Sequence, residues 1–191
     1  MSNEITICKL FERLENRLKD GTVYLAIEGG SASGKTTLAA LLQDRYDATV
    51  FHMDDFFLRP HQRTPKRLAE AGGNLDRERF LEEVLLPLSQ NRPIRYQRFD
   101  CKTGALEPPV QVNPRRLTVI EGAYSMHPAL SGFYDLSVFL EIDPETQRTR
   151  ILKRSSKTAE RFFAEWIPLE ERYFEETEAK NRCDYILKQV R

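Results

Sequence analysis

Eight consecutive residues carry the chain's strongest chemical signal: Gly29-Gly30-Ser31-Ala32-Ser33-Gly34-Lys35-Thr36 matches G-x-x-x-x-G-K-S/T in full. Glycines let a backbone wrap with its N–H groups pointing inward, and a helix opening at the end of the loop adds partial positive charge. Both favour a phosphate. Lys35 would reach the β- and γ-phosphates and the Thr36 hydroxyl would hold Mg2+, so Gly29 to Lys35 with Thr36 and Thr37 form the expected nucleotide-binding set. The sequence has no N/T-K-x-D tetrad of the kind a GTPase uses to read its base, and no Gly-rich signature of an ABC-type ATPase. Small-molecule kinases remain as the natural size class.

Three further groups could act on a bound phosphate. His52-Met53-Asp54-Asp55-Phe56-Phe57 follows a short apolar run, and carboxylates at the C-terminal edge of a parallel strand point into the crevice where open α/β sheets bind ligands. Glu121 follows the apolar run Leu117 to Ile120 and precedes Gly122, which puts a second carboxylate at a strand tip. Between Arg148 and Arg161 stand six basic residues, Arg148, Arg150, Lys153, Arg154, Lys157 and Arg161, against the single acid Glu160. Arg150 and Arg154 share one helical face by their spacing.

These groups need a frame. Continuous apolar runs at Thr22 to Ile27, Ala48 to Met53, Leu117 to Ile120, Val138 to Ile142 and, more weakly, Tyr185 to Leu187 read as strands buried on both faces. Helical patterns alternate with them: Ile7, Leu10, Phe11, Leu14 and Leu18 within an N-terminal helix over 1–20, then Leu38 to Leu42, Phe80 to Leu88, Pro144 to Ser155, and a longer one from Thr158 to about Ala179. The alternation predicts an α/β fold of the P-loop NTPase type, with a five-stranded, mostly parallel sheet flanked by helices. Arg59 to Asn74 reads as a loop or a poorly packed helix. Arg95 to Val112 reads as an exposed hairpin turning at Lys102-Thr103-Gly104. Both belong to a substrate-side insertion over 58–113, and the whole of 1–191 is expected to be a single domain.

Composition limits the partners. The 191 residues carry 29 Lys+Arg against 29 Asp+Glu, so no bulk polyanion such as nucleic acid is signalled. No run approaches 18 apolar residues and the first twenty residues are interrupted by acids, so neither a membrane span nor a standard export signal is expected. Three scattered cysteines, Cys8, Cys101 and Cys183, fit a reducing cytoplasm rather than a disulfide framework. His52, His61 and His127 show no mutual metal-ligand spacing. Trp166, in the long helix, is expected to pack in the core. A homo-oligomer is compatible with all of this.

With the P-loop, H-M-D-D-F-F, G-G-N-L-D at Gly72 to Asp76, V-I-E-G at Val119 to Gly122 and the arginine-bearing helix after Asp143, the chain resembles the uridine kinase and phosphoribulokinase group of P-loop kinases. That resemblance implies an ATP- and Mg2+-dependent transfer to a hydroxyl of a nucleoside-like small molecule. Asp54 would orient the acceptor hydroxyl and touch Mg2+ through water, and Glu121 would help hold the metal. Lys35, Arg150 and Arg154 would stabilise charge on the transferring phosphoryl group, the two arginines from a helical lid over 144–161 that would close over the phosphates. Phe57 and Asp76 would face the acceptor, Asp76 through ribose hydroxyls, and Tyr96 and Phe99 of the hairpin could stack on a base.

The chain also departs from the group. Ser155 follows Arg154 where an aspartate is common, and no histidine lies between Arg95 and Val112 where uridine-cytidine kinases read their base. Nicotinamide riboside, pantothenate or another non-pyrimidine acceptor therefore stays open. So does a nucleotide-binding regulatory protein that transfers nothing, for which Asp54 would be dispensable.

Overall fold

The computed structural model describes residues 4–188. Its order is β1 (Glu4–Ile5), α1 (Ile7–Asp20), β2 (Val23–Gly29), α2 (Lys35–Tyr46), β3 (Thr49–His52), α3 (Pro65–Leu68) and a helical stretch over 77–89. That stretch comprises α4 (Arg77–Phe80), a π-helical turn at Leu81–Leu85 and α5 (Leu86–Ser89). Then come β4 (Ile94–Tyr96), β5 (Phe99–Asp100), β6 (Ala105–Leu106), β7 (Val110–Val112), β8 (Leu117–Glu121), β9 (Leu136–Glu141) and α6 (Pro144–Ser155). The chain ends with α7 (Ala159–Arg161), a π-helical turn at Phe162–Trp166, α8 (Ile167–Thr177), α9 (Ala179–Arg182) and β10 (Tyr185–Lys188).

Six parallel strands form the main sheet in the order β1-β10-β9-β2-β8-β3. The sequence led us to expect five. The sixth is β1, a two-residue edge strand beside β10, in a region assigned wholly to helix from its apolar spacing. Two residues before a helix cap carry too little pattern to signal a strand; Thr6 caps α1 by accepting from the Lys9 N–H.

β2 lies at the centre and its side chains alternate between two cores. Leu25 and Ile27 pack with Leu10, Leu14, Leu38 and Leu42 of α1 and α2 on one face. Ala26 packs on the other with Phe51, Phe56, Phe80 and Tyr173. Burial on both faces explains the uninterrupted apolar run, because a strand covered by helices has no solvent side to mark with polar residues.

The hairpin turns where the sequence placed it, Gly104 taking φ 69°, and its strands pair as β4 with β7 and β5 with β6. Most of its residues are exposed, as expected, but one side is covered. Ile94, Tyr96 and Phe99 are buried, and Tyr96 stacks on Phe56 at 5.6 Å and meets Phe51 edge-on at 5.4 Å.

Candidate active site

The site begins where β2 ends. Gly29 has φ 146°, and a Cβ there would lie 2.6 Å from the Leu140 carbonyl oxygen of the neighbouring strand, so only glycine lets the chain leave the sheet here. Gly34, at φ 101°, then opens α2. The N–H groups of a helix's first turn have no acceptor within the helix, so this turn faces the loop with unspent donors. Lys35 is buried, and its Nζ donates to the carbonyls of Gly29 and Gly30 at 2.8 and 2.9 Å, folding the ammonium back across the loop.

β8 and β3 bring the acids. Their register aligns His52 with Glu121, while β2 aligns Ile27 with Glu121, so three strand tips meet beside the loop. Glu121 Oε1 accepts from the Thr36 hydroxyl at 3.1 Å and lies 2.6 Å from His52 Nδ1. That carboxylate raises the His52 pKa, partly opposed by burial. Gly122, at φ 141°, is required because a Cβ there would stand 2.7 Å from that of Met53.

Met53–Phe56 forms a 3-10 turn that separates the two aspartates. Asp54 faces the cleft, where solvent reaches it, and its carboxylate takes no hydrogen bond or ion pair among the described residues. Enclosure by protein raises its pKa; Lys35 opposes this, Glu121 reinforces it, and His52 and Arg154 oppose it. Asp55 diverges to the hairpin, 3.5 Å from Arg98 Nε.

α6 and the segment after it close the other wall. Asp143 caps α6 through the Thr146 N–H, with Pro144 at its first position. Arg150 donates to the Ala32 carbonyl at 3.2 Å. Arg150, Lys153, Arg154 and Arg161 line the cleft with Asp54, Lys35, Thr36 and Glu121. Arg148 instead covers the Phe163 ring. The cleft has a volume of about 2000 Å3, above the roughly 300–1,000 Å3 of a single small-molecule pocket, so it has room for two ligands side by side.

The structure thus brings together Ser31, Ala32, Gly34, Lys35, Thr36, Thr37, Asp54, Phe57, Glu121, Arg150 and Arg154 along one cleft, with Gly29, Gly30 and Ser33 behind them in the loop. It does not bring Asp76, Tyr96 or Phe99. Asp76 is buried as the cap of α4, where it accepts from Gln62 Nε2 at 2.9 Å and lies 3.6 Å from Arg79 Nε. Tyr96 and Phe99 belong to the core. Trp166, expected in the core, is half-buried on the cleft wall with Phe162 and Arg161 against its ring.

Two glutamates escaped the sequence reading. Glu28, fully buried at the foot of the loop, accepts from the N–H groups of Gly29, Tyr124 and Met126 at 2.9, 3.2 and 2.9 Å and from the Tyr173 hydroxyl at 3.0 Å. Burial pushes its pKa up to about 7, with the hydrogen bonds and Lys35 restraining the rise. Glu170 of α8 accepts from the Ser31 N–H and O–H at 2.8 and 2.6 Å, and its pKa is raised by burial. Their partners lie up to 145 residues away in sequence, so no local spacing could reveal them.

Strand, glycine-rich loop and helix, with a lysine across the loop and carboxylates at adjacent strand tips, define a P-loop nucleotide-binding α/β fold. No family model matches the chain. Among curated proteins it is 26% identical over 136 residues to phosphoribulokinase of Synechocystis sp., covering 67% of this chain and 40% of that protein. It is 28% identical over 142 residues to uridine kinase-like protein 4 of Arabidopsis thaliana, covering 69% of this chain and 30% of that one. It is also 27% identical over 150 residues to uridine kinase of Oceanobacillus iheyensis, covering 73% and 70%. The chain thus spans less than half the length of the first two relatives. In fold it matches a possible uridine kinase from Bacillus stearothermophilus with TM-score 0.65 at 23% identity, covering 94% of this chain and 99% of that one. In sequence the chain is thus similar to uridine kinases and a phosphoribulokinase, and in fold to a possible uridine kinase.

Proposed function

We propose that the chain is an ATP- and Mg2+-dependent kinase that phosphorylates a hydroxyl of a nucleoside-like small molecule, with 1–191 acting as one unit, 58–113 on the acceptor side and 144–161 as the lid. The observation that carries this is Asp54: an unpaired carboxylate facing the same cleft as the phosphate loop, Lys35 and the lid arginines.

In this reading the loop amides and Lys35 hold the triphosphate. Asp54 orients the acceptor hydroxyl, whose oxygen bonds to the γ-phosphorus as the bond to the ADP oxygen breaks; the hydroxyl proton passes to Asp54 and then to water. Phosphoryl transfer runs through a loose transition state, so positioning matters more than base strength, and Arg150 and Arg154 offset charge on the equatorial oxygens. Thr36 and Glu121 offer hard oxygen donors 3.1 Å apart, which suits Mg2+, an ion that draws its other ligands from phosphate and water. Bound there, Mg2+ neutralises charge on the phosphates.

A second acceptor class, a non-pyrimidine substrate, is favoured by one observation: the residues expected to read ribose and base, Asp76, Tyr96 and Phe99, are turned into ion pairs and core. The deciding experiment is ADP release from ATP and Mg2+ over uridine, cytidine, nicotinamide riboside and pantothenate, with Asp54→Asn as control. Acceptor-dependent turnover lost in the variant supports the kinase and names its substrate class; turnover or function unaffected by Asp54→Asn refutes the mechanism.

A further inference from the structure

Both polar ends of Ser31 are held from outside the loop. Its N–H and hydroxyl donate to the Glu170 carboxylate of α8, at 2.8 and 2.6 Å, while its carbonyl accepts from Gln147 Nε2 of α6 at 2.9 Å. The neighbouring residue shows how close the two helices come: a Cβ on Gly30 would lie 3.1 Å from Gln147 Nε2, 3.6 Å from Glu170 Oε2 and 3.9 Å from the Phe174 ring. Glu170 is itself buried. One turn along α8, Tyr173 donates to Glu28 at the foot of the loop, so this helix grips the loop at crest and base.

We propose that Glu170 is a positioning residue for nucleotide binding, which with Gln147 fixes the Ser31 peptide so that the phosphate loop holds its receiving shape before the nucleotide arrives. The inference rests on the kinase reading above. Its physical basis is entropy. A loop with glycine at Gly29, Gly30 and Gly34 has unusual backbone freedom, and each residue that must be ordered on binding weakens affinity roughly five- to thirtyfold. Anchoring from α6 and α8 means that this ordering is complete in the folded chain. The same anchors join the loop to the two helices that flank the cleft's basic segment.

The test is calorimetric titration of the chain with Mg-ATP and with inorganic tripolyphosphate, together with nucleotide KM and kcat and the melting temperature of each variant. Glu170→Ala is expected to weaken both ligands about tenfold and to raise the nucleotide KM, with kcat within about threefold of the parent. Glu170→Gln is expected to restore affinity, because its Oε1 can accept the Ser31 N–H while its Nε2 donates to the Ser31 hydroxyl oxygen. Ser31→Ala, which removes one bond without leaving a large void, should weaken both ligands about threefold and carries the test if Glu170→Ala does not fold.

Parent-like affinity in Glu170→Ala, or in Ser31→Ala where that variant carries the test, overturns the inference. So does failure of Glu170→Gln to restore affinity at parent melting temperature, or binding in it markedly tighter than in the parent. If the parent chain binds and transfers phosphate normally in those cases, only this inference falls. If the parent binds neither ligand, the kinase reading falls with it.

Discussion

Glu28 makes the stability of this chain depend on pH in a direction unusual for a carboxylate. An unfolded glutamate loses its proton near 4.5, whereas burial holds the folded one up to about 7. Between those values the native chain binds more protons than the unfolded chain, so its stability falls as pH rises. From these two values the Glu28 contribution drops by about 2–3 kcal/mol between pH 5 and pH 8. His127 works in the opposite sense: burial lowers its pKa to about 4, so its contribution is present above 6.5 and is lost as pH falls toward 4. Total stability therefore hides both effects, and a difference is needed to separate them.

Urea unfolding of the parent and of Glu28→Gln at half-unit steps from pH 5 to pH 8 supplies that difference. The amide cannot satisfy four donors, which costs about 1–3 kcal/mol at every pH. Superimposed on this offset, the parent's advantage over the variant should shrink by about 2–3 kcal/mol as pH rises. Tyr173→Phe, which removes the one side-chain donor, should move the drop to higher pH. Parallel parent and Glu28→Gln curves across the range would refute the reasoning, since they would mean that Glu28 does not titrate there.

Three further outcomes are expected. Asp54→Asn should lower kcat by roughly 10²–10⁴ while leaving nucleotide affinity within about threefold in titration calorimetry, because the side chain acts on the acceptor hydroxyl and reaches the metal only through water. Chelation of divalent ions should abolish turnover, and Thr36→Ala or Glu121→Gln should raise the Mg2+ concentration for half-maximal rate about tenfold; a rate insensitive to both variants would place the metal elsewhere. Tyr96→Ala should lower stability by about 3 kcal/mol without changing the acceptor KM, whereas a raised KM at unchanged stability would return Tyr96 to the substrate.

The parts of the fold that sequence revealed are those governed by local rules. β2, β8 and β9 announced themselves as apolar runs, and the loop from Gly29 to Thr36 by glycine spacing between a strand and a helix. What stayed hidden depends on contacts between distant segments. Tyr96 sits on a hairpin that would be solvent-exposed in isolation and is buried because the ribbon leans on Phe51 and Phe56. Asp76 carries an acid in a suggestive motif, yet Gln62 and Arg79 take up its charge. The two π-helical turns, at Leu81–Leu85 and Phe162–Trp166, shift side-chain phase by a residue, which a simple 3.6-residue period does not anticipate.

Lys35 has a consequence for anion binding. The residue is nine-tenths withdrawn from water, and its ammonium donates to two backbone carbonyls rather than to a carboxylate. An anion seated in the loop would meet a charge whose dehydration was completed during folding, and would in turn relieve it. Ligand and fold are then linked: orthophosphate, sulfate or tripolyphosphate alone, in free excess, should stabilise the fold by RT ln(1 + [L]/Kd) and so raise the melting temperature before any nucleoside is present.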